Sequence, residues 1–419
     1  SFAQSVPMEM HEQIFAERFS QTGGFELRGT RSYKLALPET TVLLQDRAFG
    51  SWHGLFIAFE PGGEQRISGI SLQNIAVPKQ PPLTEAAFAA EVRATIDHAC
   101  KGGFFSGAVR VQRQGDVLIE AACGEASKRY HVANNIDTKF NLGSMNKMFT
   151  SIAISQLVEQ GKLKYSDSID RFVDETWLPK DITRQITIHH LLSHTSGLGS
   201  YFNDKYWNSS RLLYRNVNDY KPLVVGDKLA FKPGEKFGYS NTGMLLLGVV
   251  IEKATGQSYF DVIRANVTGP AGMTSTESYA MDDPVENLAT GHTHPEGQPG
   301  KWIENSLLHV LKGGPAGGGY STVRDLDKFA TALLAGKLVK PETLALHWRD
   351  VIKARYGYGF QVSGKPGNKV VGHSGGFPGL NGQLDIHLDK KVVVAALANQ
   401  DDAASTLAGR IGQLLDRVE

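Results

Sequence analysis

The sequence predicts a mixed α/β protein in which one sheet is assembled from distant parts of the chain. Two strands around a turn are predicted in "GAVRVQRQGDVLIEAACGEA" (residues 107–126), and further β-rich stretches lie within residues 355–400. Residues 165–330 instead favour short helices and loops. Strands at both ends, with helices between them, indicate a helical region inserted within one sheet.

Three stretches carry the periodicity of helices. "TEAAFAAEVRATIDHAC" begins at Thr84, a suitable N-cap because its hydroxyl can accept a backbone hydrogen bond. A strong helix is predicted within "NLGSMNKMFTSIAISQLVEQGKL", and Gly161 supplies its end signal. A last helix over residues 402–417 closes the chain.

Residues 1–77 are predicted to form a small α+β module. Met8 to Phe19 favours a helix, and residues 38–77 are β-rich with turn signals. The proline-rich "PKQPPL" (residues 78–83) disfavours helix and central strand, so it is interpreted as a linker. Residues 84–419 then form the main domain.

Composition excludes several classes of function. The chain has 419 residues, 41% apolar and 21% charged, which is typical of a globular protein. The net charge is +1 without an evident basic patch, so no nucleic-acid partner is expected. The longest apolar run, Met244 to Ile251, is too short to cross a membrane.

The start of the chain and the cysteines bear on its compartment. "SFAQS" at the start resembles the end of a secretory signal peptide, which indicates a periplasmic or secreted protein; a start trimmed in another way is the alternative. Cys100 and Cys123 could form one disulfide, but spacing does not show whether they meet. Two unlinked buried thiols are the favoured interpretation.

The pentapeptide GHSGG (residues 372–376) matches a G-x-S-x-G nucleophile motif, which needs a strand before the serine and a helix after it. A strand is predicted before Ser374. Pro378, Gly379 and Gly382 disfavour a helix in the stretch that follows. Ser374 is therefore not expected to be the nucleophile.

Ser144 is the better candidate. Ser144 and Lys147 are three residues apart at the start of a predicted helix, which puts both side chains on one face. The positive end of the helix favours negative charge beside the serine. A lysine whose pKa is lowered by its surroundings can take the proton of a serine hydroxyl.

Two triplets extend this pattern: Y-S-N (residues 239–241) leads into an apolar helix, and H-S-G (residues 373–375) lies on a predicted strand. The order S-x-x-K, Y-x-N, (K/H)-x-G resembles the penicillin-recognising serine hydrolases of the class C β-lactamase-like family. "TIHHLLSHTSGL", "FKPGEKFGYSN", "PAGGGYSTVRDLDKF" and "YGYGF" agree with it. The resemblance covers residues 84–419 and implies a β-lactamase/transpeptidase-like antiparallel sheet flanked by helices, with a helical insert subdomain.

The resemblance also implies a mechanism. Ser144 would form an acyl-enzyme, with Lys147 and Tyr239 sharing the role of base, and Lys147 would lower the pKa of Tyr239. Asn241 would hydrogen-bond Lys147 and a substrate carbonyl. The backbone N–H groups of Ser144 and Gly376 would form the oxyanion hole.

His373 departs from the family pattern. Lysine usually stands there in β-lactamases and D,D-peptidases and pairs with the substrate carboxylate, whereas histidine is mostly neutral at pH 7. His373 therefore favours small esters or D-amino-acid amides and peptides as substrates. Ser374 is expected to hydrogen-bond substrate or His373, and Gly375 and Gly376 are expected to leave room for the acyl group.

Two glycine- or aromatic-rich segments are expected near the site. Tyr201, Phe202 and Trp207 could wall the acyl pocket, and packing of a long loop explains them equally well. "GGPAGGG" (residues 313–319) lacks the Lys-Ser/Thr of a phosphate loop and is interpreted as a tight backbone segment beside the site.

No metal or cofactor is expected. His190 and His194 are four residues apart but lack the glutamate of a zinc protease motif, and His292 and His294 have no evident acidic partner. Two alternatives to an esterase or amidase stay open. One is a true β-lactamase or D,D-carboxypeptidase. The other is a catalytically silent binding or regulatory protein, whose N-terminal module would serve docking or dimerisation.

Overall fold

A computed structural model of the chain describes residues 16, 19, 21–33, 39–60, 66–75, 80–295, 298 and 300–418. The predicted helix over Met8 to Phe19 lies outside these residues, apart from positions 16 and 19. The α-helices are α1 (Glu85–Lys101), α2 (Asn146–Glu159), α3 (Lys180–Thr183), α4 (Ile188–Leu192), α5 (Asp204–Trp207), α6 (Lys221–Val224), α7 (Asn241–Thr255), α8 (Tyr259–Ile263), α9 (Val323–Leu334), α10 (Pro341–His347) and α11 (Ala403–Leu415). In the part of the chain that is described, no helix has the length and apolarity that crossing a membrane requires.

The strands fall into one large sheet, one smaller N-terminal sheet and short two-stranded ladders. They are β1 (Phe25–Tyr33), β2 (Glu39–Asp46), β3 (Trp52–Phe59), β4 (Ile67–Asn74), β5 (Gly107–Arg113), β6 (Asp116–Cys123), β7 (Glu125–Ser127), β8 (Val132–Ala133), β9 (Phe140–Asn141), β10 (His292–Thr293), β11 (Ile303–Glu304), β12 (Tyr320–Ser321), β13 (Gln361–Lys365), β14 (Asn368–Phe377), β15 (Leu380–His387) and β16 (Val392–Ala398).

The large sheet has six antiparallel strands in the order β13-β14-β15-β16-β5-β6. Strand β16 pairs with β5, with Ala395 opposite Arg110, so segments almost 300 residues apart are adjacent in the sheet. The helices α3–α8, all short except α7, come from the chain between them. The prediction of one antiparallel sheet built from distant segments, with a helical insertion, is confirmed.

Local signals also predicted the helices well. Thr84 caps α1, because its hydroxyl accepts a hydrogen bond from the Ala87 N–H at 3.2 Å. The helix expected to end at Gly161 ends at Glu159, and the last helix runs over Ala403–Leu415 instead of residues 402–417. These differences are within the usual fraying of helix ends.

Both faces of the large sheet are covered. Helices α1 and α11 pack on one face, where Val92 and Ile411 share a core with Val109 and Val394. Helices α2, α7 and α9 belong to the apolar core on the other face. Strands covered on both faces read as nearly continuous apolar runs, as "VVVAALA" in β16 does.

Helix α2 is the central helix of the second layer. Eleven of its fourteen residues are buried, polar ones included. Thr150, for example, donates its hydroxyl hydrogen to the Pro315 carbonyl at 2.8 Å. A helix buried on all sides is held by packing along its whole length. The first turn of α2 is therefore a fixed platform for the side chains it carries.

Strands β1–β4 form a separate antiparallel sheet in sequence order. The turn between β2 and β3 rests on the main domain, where Ala48 and Phe49 join the core of α1 and α11. Gln413 of α11 donates a hydrogen bond to the Trp52 carbonyl at 3.2 Å. These contacts lie on the face of the large sheet opposite α2.

The predicted linker is described only in part, because residues 76–79 are outside the described residues. Its end is attached to the end of the chain: the Leu83 N–H donates to the Arg417 carbonyl at 2.7 Å, and Arg417 Nε donates to the Pro81 carbonyl at 3.2 Å. The domain boundary after residue 77 stays a prediction.

Cys100 and Cys123 form a disulfide, with their Cα atoms 6.0 Å apart. The interpretation as unlinked thiols was therefore wrong. The reason is tertiary: α1 packs across β6, which brings the end of the helix to the end of the strand. The spacing of 23 residues alone does not reveal this packing.

The disulfide is expected to stabilise the main domain. In the chain-entropy description, closing a loop of this length lowers the stability of the unfolded chain relative to the folded one by about 3 kcal/mol. Reduction, or replacement of both Cys100 and Cys123 by serine, should therefore lower the free energy of unfolding by about 2–4 kcal/mol. Urea unfolding with and without dithiothreitol measures this. The double serine variant is the control, since reductant should not change its midpoint. A wild-type midpoint that is insensitive to reductant would contradict the prediction.

Candidate active site

Ser144 lies in a 3₁₀ turn, Gly143–Met145, that leads directly into α2 at Asn146. Lys147 is in the first turn of α2, and its Nζ is 3.0 Å from Ser144 Oγ. The i,i+3 spacing therefore brings the two side chains together as predicted. The helix behind them is buried, so this contact has little freedom to change.

Lys147 is completely buried, and its amine contacts three oxygens. Besides Ser144 Oγ, they are Asn241 Oδ1 at 2.9 Å and the Ala316 carbonyl oxygen at 2.6 Å. Burial lowers the pKa of Lys147 well below its ordinary value. A neutral amine has two N–H donors and one lone pair. Because the amide and carbonyl oxygens can only accept, the two N–H groups point to them and the lone pair faces the serine hydroxyl.

Tyr239 closes the other side of the serine. Its hydroxyl hydrogen-bonds Ser144, and Lys147 Nζ is 4.8 Å from the centre of its ring. Tyr239 is 40% exposed as a whole residue, but partial burial raises its pKa to about 12, although the hydrogen bond to Ser144 acts in the opposite direction. The expected lowering by Lys147 is therefore wrong. At neutral pH Tyr239 keeps its proton and can donate it.

Asn241 is the first residue of α7, and Ser240 is its N-cap. The predicted bond from Lys147 to Asn241 Oδ1 is present. The amide nitrogen of Asn241 donates to Ser200 Oγ at 3.1 Å, which fixes the orientation of the amide. One N–H of the amide is used by Ser200, and the second N–H has no bond described here, so the expected contact of Asn241 with a substrate carbonyl stays a prediction.

Strand β14 passes directly over the nucleophile turn. A Cβ atom on Gly375 would be 1.9 Å from the Leu142 carbonyl oxygen, and one on Gly143 would be 2.9 Å from the Gly376 nitrogen. The Gly376 backbone nitrogen thus lies beside the turn that carries Ser144, and the oxyanion hole formed by these two residues stays a prediction. The reason for glycine at position 375 is contact with the turn and not space for an acyl group. A Cβ on Gly376 would meet nothing within 4 Å.

The glycine-rich segment of residues 313–319 packs behind the same turn. Its Ala316 carbonyl accepts from Lys147, and the Gly318 N–H donates to the Gly143 carbonyl at 3.1 Å. The Gly319 N–H donates to Asn146 Oδ1 at 3.1 Å. The interpretation as a tight backbone segment beside the site is confirmed.

His373 is buried, and both of its ring nitrogens are engaged inside the protein. Nδ1–H donates to the Ser374 carbonyl at 2.6 Å, and Nε2 accepts from the Tyr356 hydroxyl at 2.9 Å. Burial, with a smaller effect of Lys147, lowers the pKa of His373 to about 3, so the ring is neutral. Because both nitrogens are bonded within the protein, neither is available to a substrate in this arrangement.

Ser374 lies within β14, and a tight turn and strand β15 follow it. The nucleophile-elbow reading of GHSGG is therefore excluded, because no helix begins there. The Ser374 hydroxyl accepts from Gln361 Nε2 at 3.0 Å, and its N–H donates to Gln361 Oε1 at 3.2 Å. The expected partner of Ser374 was substrate or the His373 side chain, whereas the observed one is Gln361.

An aromatic wall borders the end of β14. Trp207 is 48% exposed and stacks on Phe377 with their ring planes 5° apart, and Phe202 packs 5.7 Å from Phe377. Tyr201 is only 5% exposed and packs behind Phe202, against Tyr220. Phe202 and Trp207 thus fit the predicted wall, while Tyr201 supports it from behind.

The histidine pairs have structural partners. His190, His194 and His292 each accept a hydrogen bond from a backbone N–H, and His294 donates to a backbone carbonyl. Across the described residues, no group of three or more His, Cys, Asp or Glu side chains is arranged to hold a metal ion.

Sequence reasoning missed four residues that shape the site. Ser200 orients Asn241, the Ala316 carbonyl accepts from Lys147, Tyr356 holds His373, and Phe377 completes the aromatic wall. Tyr356 belongs to "YGYGF", one of the stretches that carry the family resemblance. Phe377 directly follows Gly376, a predicted oxyanion-hole residue. This position in the sequence could have identified Phe377 as a residue of the site.

The two neighbouring glycines of β14 offer a matched test of the contact with the nucleophile turn. Neither glycine has a positive φ, so only the space around each Cβ differs. Gly375→Ala should lower the free energy of unfolding by about 1–3 kcal/mol, because its Cβ meets the Leu142 carbonyl. Gly376→Ala should change it by less than about 0.5 kcal/mol. Urea unfolding of both variants measures the difference, and equal midpoints would contradict the described register of β14.

Comparisons with known proteins agree with this geometry. The Beta-lactamase family model matches residues 87–417. Penicillin-binding protein 4* of Bacillus subtilis (strain 168) is 30% identical over 318 residues, which cover 71% of this chain and 69% of that protein. The crystal structure of a penicillin-binding protein from Bacillus halodurans is similar with a TM-score of 0.69 and 28% identity, over 75% of this chain and 98% of that one. EstCE1, described as a hydrolase with promiscuous acyltransferase activity, gives a TM-score of 0.65 and 25% identity, over 80% and 99% of the two chains. This chain therefore belongs to the Beta-lactamase family and is a serine hydrolase with the β-lactamase and penicillin-binding-protein fold.

Proposed function

We propose that the protein hydrolyses small esters or D-amino-acid amides through an acyl-enzyme on Ser144. The observation that carries this proposal is the 3.0 Å contact between Ser144 Oγ and the buried amine of Lys147. Both N–H groups of that amine have acceptors, so its lone pair is free to take the serine proton.

Acylation follows from this arrangement. Lys147 takes the proton of Ser144 as Oγ attacks the acyl carbonyl carbon. The negative oxygen of the tetrahedral intermediate accepts hydrogen bonds from the backbone N–H groups of Ser144 and Gly376, and one such donor is worth ~10²–10³ in rate. Tyr239 gives its proton to the leaving group as the bond to the acyl carbon breaks. The lysine ammonium then returns a proton to Tyr239.

Deacylation reverses the proton movements. A water molecule takes the place of the leaving group and attacks the acyl carbon. Its proton passes by way of the Tyr239 hydroxyl to Lys147. The Ser144 oxygen leaves and regains its proton from Lys147. Each step conserves protons within the trio of side chains, so the proposal needs no metal and no cofactor.

The surroundings of the trio support a substrate with an apolar acyl part. Phe202, Trp207 and Phe377 border the end of β14, next to the Gly376 nitrogen. Neutral, internally bonded His373 offers no positive charge to a substrate carboxylate. This argues for esters and uncharged amides over penicillins. EstCE1, at 25% identity, is by its description a hydrolase with acyltransferase activity, which fits the same choice.

A second candidate is a true β-lactamase or D,D-carboxypeptidase. The name of the relative penicillin-binding protein 4* favours this candidate. A cavity of ≈ 360 Å³ lined by Tyr239 also favours it. Arg355 also lines this cavity and could pair with a carboxylate on the leaving group.

We further propose a periplasmic or secreted location. The Cys100–Cys123 disulfide supports it, because disulfides form and persist mainly in oxidising compartments.

Intact-protein mass spectrometry after exposure to a fluorophosphonate tests the nucleophile. One adduct is expected on the wild type and on the matched control Ser374→Ala, and none on Ser144→Ala. An adduct on Ser144→Ala would contradict the assignment. p-Nitrophenyl acetate and butyrate, a D-alanyl anilide and nitrocefin then compare substrate classes. Turnover of nitrocefin above the esters and the anilide would establish the second candidate instead.

Lys147→Met tests the neutral amine separately. Activity should fall by about 10³-fold or more, because the acid–base group is lost. The pKa of Lys147 is lowered in the folded protein, while the unfolded chain keeps the ordinary value of 10.5. Between these two pKa values the unfolded chain binds the extra proton, so the lysine makes wild-type stability rise with pH.

The corresponding measurement is urea unfolding of wild type and Lys147→Met from pH 6 to pH 10. The free energy of unfolding of the wild type should rise relative to that of the variant as pH increases toward 10.5. Parallel pH profiles would show that the pKa of Lys147 is not lowered by folding.

A further inference from the structure

His194 occupies an unusual backbone position close to the proposed trio. It follows α4, is completely buried, and has a φ of 55°. Residues other than glycine are uncommon in this left-handed region, although histidine, asparagine and aspartate are enriched among them. A buried histidine held there points to a constraint imposed by its contacts.

The contacts of His194 bracket Tyr239. The Gly238 N–H donates to the His194 carbonyl at 2.8 Å, and the Ser240 N–H donates to His194 Nδ1 at 3.2 Å. These two donors are the residues immediately before and after Tyr239. His194 therefore fixes the backbone on both sides of the tyrosine, once with its own backbone and once with its ring.

The His194 ring also packs directly on the tyrosine. The ring centres of His194 and Tyr239 are 4.4 Å apart, and Tyr356 packs at 4.7 Å and Phe237 at 5.9 Å from the same imidazole. The imidazole thus lies within a cluster of three aromatic side chains. Among them, Tyr239 is the residue whose hydroxyl contacts Ser144.

The hydrogen bond to Ser240 sets the tautomer of His194. Nδ1 accepts, so the proton of the neutral ring is on Nε2. Nε2 has no hydrogen-bond partner in the described part of the chain. Burial lowers the pKa of His194 well below its ordinary value, which agrees with a neutral ring. Keeping a buried N–H without a partner is costly, so packing stability alone does not explain histidine here.

We propose that His194 is a positioning residue that holds the Tyr239 hydroxyl in line with Ser144 for proton donation to the leaving group. This inference rests on the proposed role of Tyr239 as proton donor. It predicts that His194 matters most when the leaving group needs a proton. A p-nitrophenolate can leave without one, whereas an alkoxide or an amine cannot.

The test compares kcat/KM, which reports acylation, for three substrates with the same acyl group: a p-nitrophenyl ester, an ethyl ester and an amide. His194→Asn is the main variant, because asparagine tolerates the left-handed backbone and can still accept from Ser240. It should lower kcat/KM about tenfold or more for the ethyl ester and the amide, and less than threefold for the p-nitrophenyl ester. Fluorophosphonate titration corrects each rate for the fraction of active protein.

A double-mutant cycle shows whether the effect passes through Tyr239. In a Tyr239→Phe background, His194→Asn should cost nothing further for the ethyl ester, because the group it positions is absent. His347→Gln is the matched control, since His347 is equally buried but bonds Ser155. Any loss there should be equal for all three substrates.

Two outcomes would overturn the inference. One is an equal loss for all leaving groups in His194→Asn, and the other is an additive loss in the Tyr239→Phe background. His194→Gln replaces His194→Asn in the same cycle if the asparagine variant does not fold. Failure of the proposed function is distinct: wild-type protein would then take no adduct at Ser144, and both proposals would fall together.

Discussion

The burial of one amine is the constraint on which the rest of the site depends. Lys147 has no solvent contact, and the oxygens that surround its amine come from Ser144, Asn241 and Ala316. A charged ammonium loses much of its hydration there, so the neutral form is favoured. A neutral amine can accept a proton, and complete burial is the cause of the lowered pKa of Lys147.

That burial requires three segments distant in sequence to meet on a rigid helix. Helix α2 supplies Lys147, the glycine-rich segment 313–319 covers it, and α7 supplies Asn241. Strand β14 then closes over the nucleophile turn through Gly375. Small residues at the crossings are what allow backbone to touch backbone. The same close approach brings the Gly376 nitrogen to the serine.

The sequence was informative where function needs a short local pattern. Ser144 and Lys147 share a helical turn, and their contact follows from spacing alone. The antiparallel sheet followed from strands at both ends of the chain and from the order of three motifs. By contrast, the Cys100–Cys123 pair depends on α1 crossing β6, which no local signal records.

The chemical environment of the motif residues was also not predictable. His373 lies at a motif position, yet its ring is buried, and its Nε2 accepts a hydrogen bond from Tyr356 of a separate segment. The pKa of Tyr239 depends on burial that only the folded chain supplies, so the expected direction was reversed. Motif positions identify which side chains meet, whereas their protonation depends on the second layer of contacts around them.

Together these shifts make an active site that is almost uncharged at rest. Lys147 and His373 have lowered pKa values, and Tyr239 has a raised one, so each shift is in the direction of the neutral form. Charge then develops only during reaction, when the oxyanion and the lysine ammonium form a few ångströms apart in a low-dielectric setting. An anionic substrate finds no opposite charge on these three side chains, and a neutral one loses little hydration on entering. Burial thus links the two parts of the proposed function: it favours the neutral amine that the proposed base needs, and it disfavours charged substrates relative to uncharged esters and amides.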